Sequence, residues 1–225
     1  MAANKRNNPL ALAVLVCLLE KPMHPYEVAS TLRHRAKHRS VKLNYGALYG
    51  VVESLCKRGL IEARETERSG RLPERTVYQL TEAGNLEVND WLADLLCTPT
   101  VEYPQFVAAL SFLAALPPAQ VVELLKERLQ HLTLEETQDA AARELVQKLG
   151  LPRLFWVEEE YRDRIRTAEI EYVRSRVRDI ESGDLEGSEW WRRGHELGFD
   201  QVAPPFDHET FENQFGGLYG PSDKD

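Results

Sequence analysis

The sequence predicts a mainly α protein in two parts: a winged helix-turn-helix unit with a two-stranded β-wing, then an all-α dimerisation domain. Three observations carry this. Leu48, Val52 and Leu55 fall at i, i+4 and i+7 between Asn44 and Gly59, so a short helix with one apolar face runs from a good N-cap to a left-handed stop. Two extended runs, Leu60 to Thr66 and Thr76 to Leu80, flank a loop holding Gly70, Pro73 and three arginines, the pattern of a hairpin with a basic tip. After Thr98-Pro99-Thr100 the apolar spacing is helical throughout, punctuated by prolines.

Composition sets the limits. A chain of 225 residues, 43% hydrophobic and 28% charged, buries a substantial core and is ordinary for a soluble protein. Cys17, Cys56 and Cys97 are odd in number and far apart, and none has a partner at metal-ligand spacing. Disulfides and metal sites are therefore not expected, Cys17 and Cys56 read as small buried hydrophobes, and a reducing cytoplasm fits. The net charge of −8 hides an asymmetry: residues 1–90 hold 14 Lys+Arg against 10 Asp+Glu, and residues 91–225 hold 14 against 26. Basic charge gathers in the half containing the Asn44 helix, where phosphates would be neutralised, while the acidic half suits neither nucleic acid nor an anionic membrane.

In chain order, Lys5-Arg6 and the apolar run Leu10 to Leu19 have the outline of a secretory signal, but Glu20-Lys21-Pro22 follows in place of a small-residue cleavage site. Ten apolar residues are too few to span a bilayer. Asn8 as N-cap, Pro9 at N1 and Pro22 beyond the end describe instead a complete buried helix. Met23 to Glu27 is a turn into a second helix, whose Val28, Ala29 and Leu32 face inward and whose Arg33, His34, Arg35, Lys37, His38 and Arg39 form a basic trailing segment. The Asn44 helix comes next, in helix-turn-helix order. After the hairpin, Thr81 caps a helix to about Leu96. Pro104 opens another, with Phe106, Val107, Leu110, Leu113 and Ala114 on one side. Pro117-Pro118 ends it and starts a long helix with Val122, Leu125, Leu129 and Leu132 in a stripe, continuing to Gly150. A last helix runs from about Pro152 to Ser182, with Tyr161, Ile165, Ala168 and Tyr172 as a second stripe. Both stripes resemble a coiled-coil seam and are expected to make a homodimer interface.

His24-Pro25-Tyr26-Glu27, Ala47-Leu48-Tyr49, Leu55, Gly59-Leu60-Ile61 and Tyr78-Gln79-Leu80-Thr81-Glu82-Ala83-Gly84, in this order and spacing, resemble the winged-helix signature of PadR-family transcriptional regulators. The likeness covers residues 9 to about 96. Pro25 stands where the family usually has Gly, and Asn44-Tyr45 replaces the commoner Ser-Pro. Long forms of the family carry a C-terminal helical dimerisation domain, so the resemblance implies a DNA-binding domain at 1–97, a dimerisation domain at 98–182 and a partly irregular tail at 183–225. It also implies repression, often relieved by a small effector, from an inverted-repeat operator on double-stranded DNA.

Asn44, Tyr45 and Tyr49 are the candidates for groove contact, since Asn bonds adenine N6 and N7 and Tyr hydroxyls reach phosphate. Tyr49 has an alternative, packing inward with only its hydroxyl exposed. Arg68, Arg71 and Arg75 are wing candidates for backbone or minor-groove contact, with Arg33 and Lys42 as weaker ones. An ordinary solvated hairpin tip is the plainer reading of the wing. Trp156, Trp190 and Trp191 are candidates for an effector pocket, against the plainer reading as core or dimer interface. His34 and His38 sit at i, i+4, but no carboxylate or thiolate completes a metal set. No cofactor is expected. No G-x-S-x-G, Cys/His pair or phosphate-binding Gly loop supports catalysis, and Glu158-Glu159-Glu160 reads as a solvated face. The rival from another class is a winged helix serving protein–protein contact without DNA, which would need neither the charge split nor the wing arginines.

Overall fold

The structure, a computed structural model, describes residue 6, residues 8–67 and residues 75–207. The chain divides into two compact units, Met1–Glu102 and Tyr103–Asp225.

The first unit follows its caps. Asn8 accepts from Leu10 N at 3.1 Å and opens α1 (Pro9–Glu20), which buries Leu10, Val14, Leu15 and Leu18. In α2 (Pro25–His34), Pro25 at N1 gives up a backbone donor that no helical carbonyl would take, and His24 Nδ1 accepts from Tyr26 N at 3.1 Å as the cap. The return reach of Glu27 Oε2 to His24 N completes a capping box. Ala36, at φ 56°, ends α2 in the left-handed region, and a 3-10 turn, Lys37–Arg39, leads to α3 (Tyr45–Lys57). Leu48, Val51, Val52 and Leu55 bury one face of α3 against α1 and α2. Its end is a Schellman motif: Gly59 at φ 70° donates to Cys56 O at 2.9 Å, and Leu60 to Leu55 O at 3.0 Å.

Strands β1 (Ile61–Glu67) and β2 (Arg75–Leu80) pair antiparallel, with a register shift between Ala63 and Glu65 that leaves Arg64 as the extra residue of a bulge. Met23, expected in a turn, also exchanges two backbone hydrogen bonds of 3.0 Å with Tyr78, adding a one-residue third strand that ties the start of α2 to the wing. Thr81 then caps α4 (Glu82–Cys97) by accepting from Gly84 N at 3.0 Å while donating to Gly59 O at 2.8 Å. A Cβ on Gly84 would stand 2.0 Å from Leu60 O, so the Thr-Glu-Ala-Gly sequence is the close approach that locks α4 onto the end of α3. Arg6, and after it Arg58, hold the Glu87 carboxyl on α4 below the ordinary carboxylate range.

The second unit is all helical. Helix α5 (Gln105–Ser111) is shorter than the sequence suggests, with Pro104 as its N-cap rather than its first residue, and a 3-10 turn, Leu113–Ala115, follows. Pro117 and Pro118 lack the N–H groups that a continued helix would send to Leu113 and Ala114. The Ala114 carbonyl instead accepts from His195 Nε2 at 2.9 Å, and Leu116 O accepts from Trp191 Nε1 at 2.8 Å. Helix α6 (Pro118–Lys148) ends before Gly150 at φ 69°, and α7 (Val157–Ser182) follows a 3-10 turn, Arg153–Trp156.

Within the tail from residue 183, the partly irregular segment includes a helix, α8 (Ser188–Leu197), whose Trp191 is buried. Two sequence expectations need correction here. The Val122–Leu132 stripe is no free seam, because α7 and α8 close over Val122 and Leu125, with Leu129 half-buried beside Val173, Val177 and Trp191. Glu158, Glu159 and Glu160 are half-buried rather than a solvated face, and Arg153 holds the Glu160 carboxyl below its ordinary range. Between α6 and α7 the buried Arg166 bridges Asp139 and Asp163, and Arg143 also meets Asp163.

Candidate nucleic-acid interface

The capped start of α3 is where the sequence-derived groove residues meet. Asn44 is the N-cap, and its Oδ1 accepts from Gly46 N at 3.0 Å. Asn44 is exposed, and capping uses only its oxygen, which leaves the NH2 donors outside the cap. Tyr45 is half-buried and packs on the core; its hydroxyl accepts from Arg33 Nη1 at 2.6 Å, and the guanidinium carbon lies 4.5 Å from its ring centroid. Arg33 thus fixes the leading edge of α3 from α2, and its charge stays exposed beside that edge. Tyr49 is 53% exposed, which excludes the inward alternative. Lys42 is exposed just before the cap, and Lys37, His38 and Arg39 form the preceding turn. The carboxylate nearest along α3 is Glu53, and Lys57 Nζ donates to it at 2.6 Å, holding its pKa down. The N-terminal half of α3 therefore presents amide, phenol and basic charge with no unmatched acid, and the helix dipole adds to the attraction for phosphate.

One residue of this face escaped the sequence reading. Gly50 sits mid-helix with nothing within 4 Å of where its Cβ would be. No internal packing asks for glycine there, although it costs helix stability. With Gly46 and Ala47, also exposed, it forms a strip where a helix backbone can approach another surface closely. The signal was in the sequence, as glycines at i and i+4 of a recognition helix. On the wing, Arg68 and Arg71 lie outside the described residues, and Arg75 is the first residue of β2. Arg64, exposed on the bulge of β1, joins them as a wing cation that the sequence pattern did not single out.

The three tryptophans do not form one site. Trp156 ends the 3-10 turn before α7, is its N-cap and donates to Leu151 O at 3.3 Å. Trp190 and Trp191 together line a cleft of about 510 Å³ within the second unit. Among the described residues no group of three or more His, Cys, Asp or Glu is placed to hold a metal.

The sequence model of the transcriptional regulator PadR-like family matches residues 14–90, from α1 through the wing and into α4. Over this segment the chain is similar to PadR-like regulators. A characterised relative is the negative transcriptional regulator PadR of Bacillus subtilis (strain 168), 26% identical over 127 residues, which are 54% of this chain and 65% of that protein. The match thus spans slightly less than two thirds of that relative's length. Among solved structures, Bacillus subtilis PadR in complex with operator DNA superposes with a TM-score of 0.64 at 18% identity, covering 77% of this chain and 99% of that one. The same protein in complex with p-coumaric acid gives 0.59 at 16% identity, covering 76% and 95%. At these identities the likeness shows a shared fold, and it extends the PadR architecture past the matched segment into the helical unit.

Proposed function

We propose that this chain is a PadR-family homodimeric repressor that reads an inverted-repeat operator through α3 and is released by a small molecule. The observation that carries the reading is the exposed edge Asn44–Tyr49–Gly50, fixed by the cap and by Arg33 and bordered by Lys37–Arg39 and Lys42. Such an edge supplies base-edge donors and acceptors together with phosphate-neutralising charge. The Bacillus relative is a negative regulator that has been seen on operator DNA and with p-coumaric acid, which supports both repression and effector release here. Dimerisation is supported by the α7 stripe, where Tyr161 is 69% and Tyr172 45% exposed in the single chain. No helix among the described residues is long and apolar enough to cross a membrane, and DNA as the target supports a cytoplasmic site of action. No catalytic role is proposed. The domain organisation proposed is a DNA-binding domain at 1–97 and a dimerisation domain at 98–182, with α8 of the 183–225 tail packed against α6.

The experiment is selection of bound fragments from genomic DNA with the purified full chain, paired with sedimentation equilibrium. Recovered fragments should share two inverted half-sites about 10 bp or a multiple apart, and the protein should sediment as a dimer at micromolar concentration. A monomer with no enriched sequence overturns the reading.

A further inference from the structure

The cleft in the second unit has chemistry that points to a ligand class. Leu110 and Leu113, from α5 and the turn after it, face Trp190 and Trp191 of α8, with Phe206 at the side. Its volume, about 510 Å³, lies within the range of small-molecule sites. On one side α8 is tied to the chain before α6 by hydrogen bonds to the carbonyls of Leu116 and Ala114. Its polar groups are few and of one kind. Ser111 spends its hydroxyl proton on Val107 O at 3.0 Å, and Ser188 spends its own on Leu185 O at 2.5 Å. Both oxygens are left with lone pairs, so each offers an acceptor. Glu186 is the charged residue of the lining, and none of the described residues that line it is cationic. The Trp190 ring, 5.0 Å from that of Phe199, is fixed in this wall.

We propose that this cleft binds a flat aromatic ring carrying an alkylamine side chain, cationic at neutral pH. Its ring would lie against the tryptophans, and its N–H groups would be taken up by Ser111, Ser188 and the Glu186 carboxylate. An aromatic carboxylate, the charge type of the p-coumaric acid bound by the Bacillus relative, meets one negative charge here and no cation. The consequence for transcription rests on the repressor reading above; the site itself does not, and a titration without DNA tests it separately.

The probes are tryptamine and indole-3-propionate, which share a ring and differ in the sign of the side-chain charge, titrated calorimetrically into the full chain. Tryptamine should bind about tenfold or more tightly than the acid. With 5-fluorotryptophan in the protein, the 19F resonances of Trp190 and Trp191 should move on saturation while that of Trp91, buried in the first unit, stays fixed. Glu186→Gln, at an exposed position, keeps the fold and should shrink the preference to about twofold. The proposal is overturned if tryptamine gives no saturable binding, if the acid binds equally well, or if the shifts fall on Trp91 or Trp156 and spare Trp190 and Trp191. It is also overturned if Glu186→Gln leaves the preference intact.

Discussion

Replacing Gly50 by alanine should move folding and DNA binding in opposite directions. The added Cβ meets no heavy atom within 4 Å, so it neither clashes nor makes new internal packing. What remains is the backbone effect of Gly→Ala in an exposed helix interior, a stabilisation of about 0.5–1 kcal/mol. For a unit of this size that raises Tm by roughly 2–8 °C. The same methyl group projects from the strip Gly46–Ala47–Gly50 beside Tyr49, where the α3 backbone is free to approach a groove. Holding the helix off the bases there forfeits about one bidentate base pairing per half-site, on the order of 1–3 kcal/mol. Thermal unfolding of the full chain followed by circular dichroism gives the first quantity. Fluorescence anisotropy with the selected operator and a scrambled duplex gives the second. A variant that melts higher and binds its operator as tightly as the parent would refute the argument, because the strip would then face solvent rather than DNA.

Asn44→Ser keeps a capping oxygen but removes the amide, so stability should hold within about 0.5 kcal/mol while discrimination falls by about 1–3 kcal/mol at one base pair per half-site; equal weakening on operator and scrambled duplexes would make Asn44 a cap alone. Arg71→Ala and Arg75→Ala should weaken binding to every sequence alike and lower the salt slope by about 1 for each phosphate no longer neutralised, as read from anisotropy at two salt concentrations. Arg166→Ala removes the buried cation between Asp139 and Asp163 in the α6–α7 interface, while Asp163 keeps Arg143, and should destabilise the helical unit by about 1–3 kcal/mol in urea unfolding. Arg6 and Arg58 lower the Glu87 pKa in the folded state, so that contribution is present above the unfolded value near 4.3 and is lost as pH falls below it. Glu87→Gln should flatten the acid limb of the first unit's stability curve, and an unchanged limb would remove Glu87 from the account.

Local chemistry was the legible part of this molecule. Asn8, Asn44 and Thr81 cap the helices that their side chains suggest, Gly59 and Gly150 take the positive φ that their positions require, and Pro118 starts α6. These features depend on residues within a few positions of one another, which a sequence shows directly. Partners distant in the chain were not legible. The Met23–Tyr78 bridge joins residues 55 apart, Arg33 reaches Tyr45 across a turn, and Trp191 finds a carbonyl 75 residues away. Periodicity fixed that Val122 and Leu125 share a face but not what covers it; α7 and α8 of the same chain do. In α8 the run Trp190-Trp191 and the glycines at 187, 194 and 198 mask a regular helix. One of those glycines is demanded by packing, since a Cβ on Gly194 would stand 2.2 Å from the Phe199 ring.

The central claim is that the capped edge of α3 reads sequence while the surrounding cations supply sequence-independent attraction. The affinity of the full chain for its selected operator, set against a scrambled duplex of equal length and composition at two salt concentrations, tests it most directly. The operator should bind about 10³-fold or more tightly than the scrambled duplex, with both affinities falling steeply as salt rises. Equal affinity for the two duplexes, or binding indifferent to salt, would contradict it.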